Sequence, residues 1–304
     1  MPYGNLAQSY AALGKLDEAH KTLETLVARG LDSSDLRAEL YQIACLQKDD
    51  ADMARQLEAA RRFPDSFRTL GAQAAVAAYR GQLAQARKLT EQYESESIAK
   101  TGLNGSAANM WADLAEVSAG VGDRTAARAE MQKSLSLNRS INTLLSGAVT
   151  LVAIGDPAGA RKMLNDARRS LPAGASPEVE RTFQSIDATL RVVSGDKTAV
   201  DAIPPPQGDD DFSSRFTIGR VNLLAGSAEI AAARFKEIMD NRRPTMSMNS
   251  AMAPLFYGRA LVKLGRPDEA RKAYEQFFDN WKSADANLPI LISARLEYKQ
   301  LLRP

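Results

Sequence analysis

Leu261-Val262-Lys263-Leu264-Gly265-Arg266-Pro267-Asp268-Glu269-Ala270 is one apolar-periodic run, a glycine, and a second run that opens on proline and acid. Glycine reaches the left-handed conformation that ends a helix, while proline and carboxylates suit the first turn of the next one. The stretch therefore encodes a helix–turn–helix hairpin. Tyr10-Ala11-Ala12-Leu13-Gly14-Lys15-Leu16-Asp17-Glu18-Ala19 writes the same hairpin at the other end of the chain, and Asp156-Pro157-Ala158-Gly159-Ala160 repeats its second half in the middle.

Working outward, a Gly or Asp followed five residues later by a small apolar residue recurs as Gly14/Ala19, Asp49/Ala54, Gly81/Ala86, Gly122/Ala127, Gly155/Ala160, Gly195/Val200, Gly226/Ala231 and Gly265/Ala270. A period of about 30–40 residues is the mark of a stacked array. Seven residues before each turn stands a mostly small residue, Ala7, Ala74, Ala115, Ala148, Ala188, Gly219 or Gly258, with Gln42 breaking the series. Nine residues after it stands a bulky one at Leu23, Met131, Leu164, Phe235 and Tyr274. Small residues on both helices let the axes approach, and the bulky residue fills the groove toward the next pair.

On these residues the chain resembles the tetratricopeptide repeat family. The resemblance implies a right-handed all-α solenoid of about eight hairpins with a concave face for protein or peptide partners. A narrower resemblance lies in Tyr274-Glu275-Gln276-Phe277-Phe278-Asp279-Asn280-Trp281-Lys282-Ser283-Ala284-Asp285, with Leu288-Pro289-Ile290-Leu291 and Glu297-Tyr298. It looks like the end of the repeat arrays that follow the catalytic domain in some bacterial eukaryotic-like serine/threonine kinases. None of the kinase's own signatures occurs: no Gly-rich nucleotide loop, no His-Arg-Asp loop, no Asp-Phe-Gly.

The expected layout is six repeats over 1–203, a linker over 204–211, repeats seven and eight over 212–285, and a capping helix over 286–304. Ile203-Pro204-Pro205-Pro206 cannot continue a helix, because proline removes donors and clashes with the preceding turn, so the second helix of repeat six is short. Arg243-Pro244-Thr245-Met246-Ser247-Met248-Asn249 reads as a long loop with a methionine-containing surface. In the cap, Leu291, Ala294, Tyr298 and Leu301 form one stripe, with Arg295, Glu297, Lys299 and Arg303 largely off it, which solvates the end of the array. The first helix starts abruptly, so either the chain continues a longer protein or its first pair frays.

Composition agrees with an array and excludes several chemistries. The 304 residues are 44% hydrophobic but only 6% aromatic, and 39 Lys plus Arg nearly balance 37 Asp plus Glu, a net charge of +2 with no basic block. A nucleic-acid partner needs a concentrated positive face, so none is implied. With one cysteine, Cys45, and one histidine, His20, there is neither a disulfide framework nor a cluster of metal ligands, and no cofactor is expected. Cys45 reads as a small core residue and His20 as a solvated helix position whose own helix offers no orienting partner, which leaves no Ser–His–acid triad. Asp209-Asp210-Asp211 lacks the alternating spacing and closing Glu of a calcium loop. Ser97-Ile98-Ala99-Lys100 overlaps Lys100-Thr101-Gly102 at one lysine, whereas the enzymes with those motifs keep them far apart.

No membrane span and no secretory signal are read, so a free-standing chain is expected in the cytoplasm, or outside it as the end of a membrane-anchored kinase. Self-association stays open. The candidate binding residues lie on the face of the first helices. Six positions before the last two turns stand Arg220 and Arg259, with Phe216, Leu255 and Lys263 nearby, a set able to hold a carboxylate or phosphorylated peptide. The competing reading pairs these arginines with Glu39 or Glu116. An enzyme on a helical-repeat scaffold is the weakest alternative, because only scattered carboxylates are on offer.

Overall fold

The computed structural model describes residues 2–102, 104–171, 174, 176–208, 211–241 and 246–303. All of its regular elements are helices, with no strand among the described residues. The chain falls into two compact units, one of residues 1–103 with 241–248, the other of 104–240 with 249–304.

The first unit holds three hairpins. They are α1 (Pro2–Ala12) with α2 (Leu16–Ala28), α3 (Ser34–Gln47) with α4 (Asp50–Ala60), and α5 (Thr69–Tyr79) with α6 (Leu83–Thr101), the last preceded by a 3-10 turn at Ser66–Arg68. The second unit begins with α7 (Gly105–Gly120) and α8 (Arg124–Leu137), then α9 (Ile141–Ala153) and α10 (Pro157–Arg169). Next, α11 (Pro177–Val193) is followed only by a 3-10 segment, Lys197–Ala202, so the second element of repeat six is short as its three prolines demand. Then come α12 (Phe212–Ala225) with α13 (Ala228–Asp240), α14 (Met248–Lys263) with α15 (Pro267–Asn280), and α16 (Pro289–Leu301).

The turn residues have the conformation the pattern requires: Gly14, Gly81, Gly122, Gly155, Gly195, Gly226 and Gly265 all have positive φ. Repeat two is the exception. Its left-handed residue is Lys48 (φ 61), not Asp49, which instead caps α4 by accepting from the Asp52 amide. The register of that repeat is thus one residue earlier than the sequence pattern placed it. Five residues past Lys48, Met53 is buried, while Ala54 is exposed.

The phased small residues lie where hairpins close. Ala19, Ala127, Ala160, Ala231 and Ala270 are fully buried, and Ala86 is nearly so. Where the small residue before the turn is glycine, an aromatic ring lies on it. A Cβ on Gly219 would fall 2.8 Å from the ring of Phe235, and one on Gly258 2.8 Å from that of Tyr274.

Asp211, expected in a solvated linker, is the N-cap of α12, accepting from the Ser214 and Gln207 amides, which lowers its carboxyl pKa despite partial burial. Asp209, Asp210 and the run Arg243–Thr245 lie outside the described residues. Met246 was expected on a loop surface. It packs instead on the cluster of Tyr41, Ala44, Cys45, Met53, Ala72 and Val76 in the first unit, where burial raises the Cys45 thiol.

The last helix does more than solvate an end. Ile290 donates from its amide to the Val121 carbonyl at 2.9 Å, and Pro289 stands 3.3 Å from where a Gly122 Cβ would lie, so α16 docks on the α7–α8 turn. Leu291 and Ala294 are buried as expected, but Ile292 and Leu296 on the same helix stay exposed.

Candidate interaction surface

The two arginines singled out by the repeat register lie together, and Phe256 is what joins them. The Arg220 guanidinium carbon stands 5.4 Å and that of Arg259 5.2 Å from the centroid of the Phe256 ring. The quadrupole of an aromatic face attracts such cations. Phe256 is itself fixed from below by Phe216 at 5.2 Å and Phe235 at 5.7 Å, with Phe216 and Phe235 5.6 Å apart.

Two expected lining residues belong to this floor and the core, not to an open surface. Phe216 is 4% and Leu255 0% exposed. Their place ten residues before the turn points between helices, so they shape the surface without being offered to a partner. Lys263 is exposed on the last turn of α14.

The arginines differ in what satisfies them. Arg259 makes a two-pronged contact with Glu297 of α16, at 2.9 and 2.8 Å, and donates to the Ser293 hydroxyl at 3.2 Å. Glu297 also accepts from the Tyr274 hydroxyl at 2.6 Å. Burial and then this hydrogen bond raise the Tyr274 phenol. Neither Glu39 nor Glu116 takes the role of partner, which falls to the cap. Arg220 has no carboxylate partner among the described residues. It is half-buried, and burial followed by the like charge of Arg259 lowers its pKa.

The same register on α7 carries the opposite sign. Glu116 stands six residues before Gly122, as Arg220 does before Gly226. Burial pushes the Glu116 carboxyl up to about 7 against a hydrogen bond from Ser146 of α9, and nearby Asp113 raises it further. Asp113 is open to water yet enclosed by enough protein that burial raises it too.

A second polar constellation lies in the first unit. An open cleft of about 450 Å³ is lined by His20, Gln47, Asp49, Ala51, Asp52 and Arg55. His20 was expected to be solvated and unoriented. Instead its Nε2 lies 2.8 Å from Asp52 Oδ2, on the helix one hairpin further on. Asp52 also accepts from the Gln56 amide at 2.7 Å and pairs with Arg55 at 2.6 Å, and these contacts outweigh burial to lower its pKa. The lining offers no hydroxyl or thiol, so the imidazole has no nucleophile to activate.

Among the described residues no group of three or more His, Cys, Asp or Glu side chains is placed to hold a metal ion, and no helix is long and apolar enough to cross a membrane. Lys100 of the Ser97–Lys100 motif pairs with Glu96 and donates to the Pro64 carbonyl, while Ser97 is buried.

Residues 2–29 and 255–279 match the tetratricopeptide repeat family. Those two stretches are where the likeness to the repeat is shown. The matched spans cover α1 with α2 and most of α14 with α15, the two hairpins whose turns the sequence writes most plainly. Among solved structures, the chain is similar to a tetratricopeptide repeat protein from Parabacteroides merdae, at 13% identity and a TM-score of 0.49, over 89% of this chain and 99% of that one. It is also similar to the P58(IPK) TPR domain, at 13% identity and a TM-score of 0.28, over 100% of this chain and 99% of that one. No curated protein matches the chain at significance.

Tetratricopeptide repeats generally mediate contacts between proteins. Phe256 and Asp113 were missed on sequence, while Glu297 was read only as part of the cap and Glu116 only as a partner for the arginines. For Phe256 a signal existed, since it stands three residues before Arg259, the spacing that brings side chains together on a helix.

Proposed function

We propose that this protein is a non-catalytic scaffold that holds a segment of a partner protein on the first-helix face of its second unit, with Arg220 as an anchor for an acidic group. The observation that supports the reading is the unmatched guanidinium of Arg220, stacked on Phe256 beside an Arg259 already held by Glu297. A half-buried cation with no counter-ion is costly to keep, and an incoming carboxylate or phosphate removes that cost by charge-assisted hydrogen bonding. Arg259, Phe256 and Lys263 frame the position.

The test is a pull-down with the purified chain, identification of the recovered partner by mass spectrometry, and titration of that partner against wild type and Arg220→Ala. A clear loss of affinity in the variant is expected, and equal affinity removes Arg220 as the anchor.

The resemblance of the stretch from Tyr274 to Tyr298 to kinase-associated repeats favours a second, narrower reading, in which this array serves as the regulatory C-terminal part of a bacterial serine/threonine kinase. The coding sequence upstream of Met1 tests it: a kinase domain is expected there, and an unrelated gene would refute it.

A further inference from the structure

Two arginines share one ring and differ in what reaches them. Arg220 and Arg259 stand 5.4 and 5.2 Å from the centroid of Phe256, yet only Arg259 has a carboxylate among the described residues. That carboxylate does not come from a hairpin. It is Glu297 of α16, which accepts from Arg259 Nε and Nη2, and Ser293, one turn earlier on the same helix, accepts from Nη2 as well. The last helix thus lies along Arg259 and presents to it the same chemical group that the scaffold reading asks of a partner.

The contact is open to exchange. The Arg259 side chain is 24% and that of Glu297 34% exposed, so an anion from solvent can approach the guanidinium that Glu297 holds. Ion pairs that water reaches are weak, and a second carboxylate competes with Glu297 on similar terms.

The helix that carries Glu297 is built to give on one side. On α15 it is held by Tyr298, whose ring lies 6.2 Å from that of Tyr274 and 5.6 Å from that of Phe278, and by the Leu301 carbonyl, which accepts from Arg271. Its other links are sparser: Ser293 and Glu297 on Arg259 of α14, and the Ile290 amide on the Val121 carbonyl of the α7–α8 turn. Its outer residues Ile292 and Leu296 are exposed, so it is covered from one side only. Through these contacts α16 joins the first hairpin of the second unit to the last.

We propose that α16 is an internal competitor for the anion-binding surface: Glu297 occupies Arg259 until an acidic group of the partner takes it, and binding then loosens α16 from α14 and from the α7–α8 turn while α15 retains it. This is a regulation of the site in the scaffold reading and rests on that reading for the surface. A partner with one acidic group meets Arg220 alone, and one with two meets both arginines at the cost of releasing the cap. Affinity is lowered by the fraction of molecules in which Glu297 holds Arg259.

The experiment uses the full chain and N-acetylated tetraglutamate amide as probe at neutral pH, with affinity measured for wild type, Glu297→Gln and the double variant Glu297→Gln, Arg220→Ala, and amide exchange followed over 289–301. Glutamine still accepts from the Tyr274 hydroxyl but brings no charge to Arg259. Glu297→Gln is expected to bind the probe about tenfold more tightly than wild type, because Arg259 no longer has to be released. In wild type, saturating probe is expected to speed exchange over 289–301, whereas a ligand that only stabilises the fold slows it. Equal affinity of wild type and Glu297→Gln, no binding by Glu297→Gln, or wild-type exchange that the probe leaves unchanged or slows, overturns the role of α16. The double variant is expected to bind more weakly than Glu297→Gln. If it binds equally well, competition at Arg259 stands while Arg220 is removed as the anchor.

Discussion

Gly258 lies beneath the ring of Tyr274, and a single added methyl group would stand 2.8 Å from Cε2 and 2.9 Å from Cδ2. The ring cannot swing aside, because Tyr274 is 1% exposed and its hydroxyl is tied to Glu297. Gly258→Ala is therefore expected to lower stability by about 1–3 kcal/mol through overpacking, although alanine favours a helix. Gly219→Ala, under Phe235, is expected to do the same. Urea denaturation measures both, and a variant as stable as wild type would show that the ring has room to move.

The same closeness governs hairpins that use alanine. Ala127 and Ala160 are 0% exposed and sit on the second helices of adjacent hairpins in one core cluster with Met131, Leu144 and Leu164. Replacing either by leucine is expected to cost about 1–3 kcal/mol. Ala126→Leu, one position away and only half-buried, is the control and should cost less. A larger loss in the control would mean that the register in this hairpin is misplaced.

These contacts explain what was legible in the sequence. A hairpin closes on residues a few turns apart, so Gly, small residue and bulky residue recur in phase and can be read directly. Repeat two was read one residue late because its left-handed turn uses Lys48, which carries no glycine to mark it. The polar contacts were harder, since they cross between hairpins. Their separations nonetheless approach one repeat: 32 residues for His20–Asp52, and 30 for both Arg62–Asp32 and Arg80–Asp50. Complementary polar residues about one period apart would have found these pairs, of which only His20–Asp52 joins two second helices. Glu297 stands 38 residues after Arg259, also near one period, but the pair went unread because α16 was taken as a cap and Arg259 was assigned to the partner-binding surface.

That assignment yields its own test. Glu297 satisfies Arg259 with two contacts and the buried Tyr274 hydroxyl with a third. Glu297→Ala leaves Arg259 without a counter-ion and the Tyr274 hydroxyl without its acceptor, and is expected to cost about 1–3 kcal/mol. Because α16 also docks through Ile290 on Val121, the loss should loosen the cap without unfolding the unit, seen as faster amide exchange over 289–301. Unchanged exchange there would place the hold on the cap elsewhere.

The pH dependence of stability should have two limbs of opposite sign. Asp52 and Asp32 have carboxyl pKa values lowered despite burial, the first by Gln56 and His20, the second by Arg37. Their contribution is present above the unfolded value near 3.8 and is lost as pH falls through the lower folded values. Glu116 runs the other way. Its folded value of about 7 lies above the ordinary 4.5, so the folded chain keeps a proton that the unfolded chain releases. Its contribution is complete below pH 4.5 and fades as pH rises to about 7, above which the buried charge is a net burden. Removing that burden in Glu116→Gln is expected to stabilise the chain by on the order of 1–3 kcal/mol at pH 8, with the gain shrinking toward pH 5. Urea titrations of both proteins at intervals between pH 5 and 8 measure the difference. A gap that stays constant across that range would mean that Glu116 ionises in the folded chain as readily as in the unfolded one.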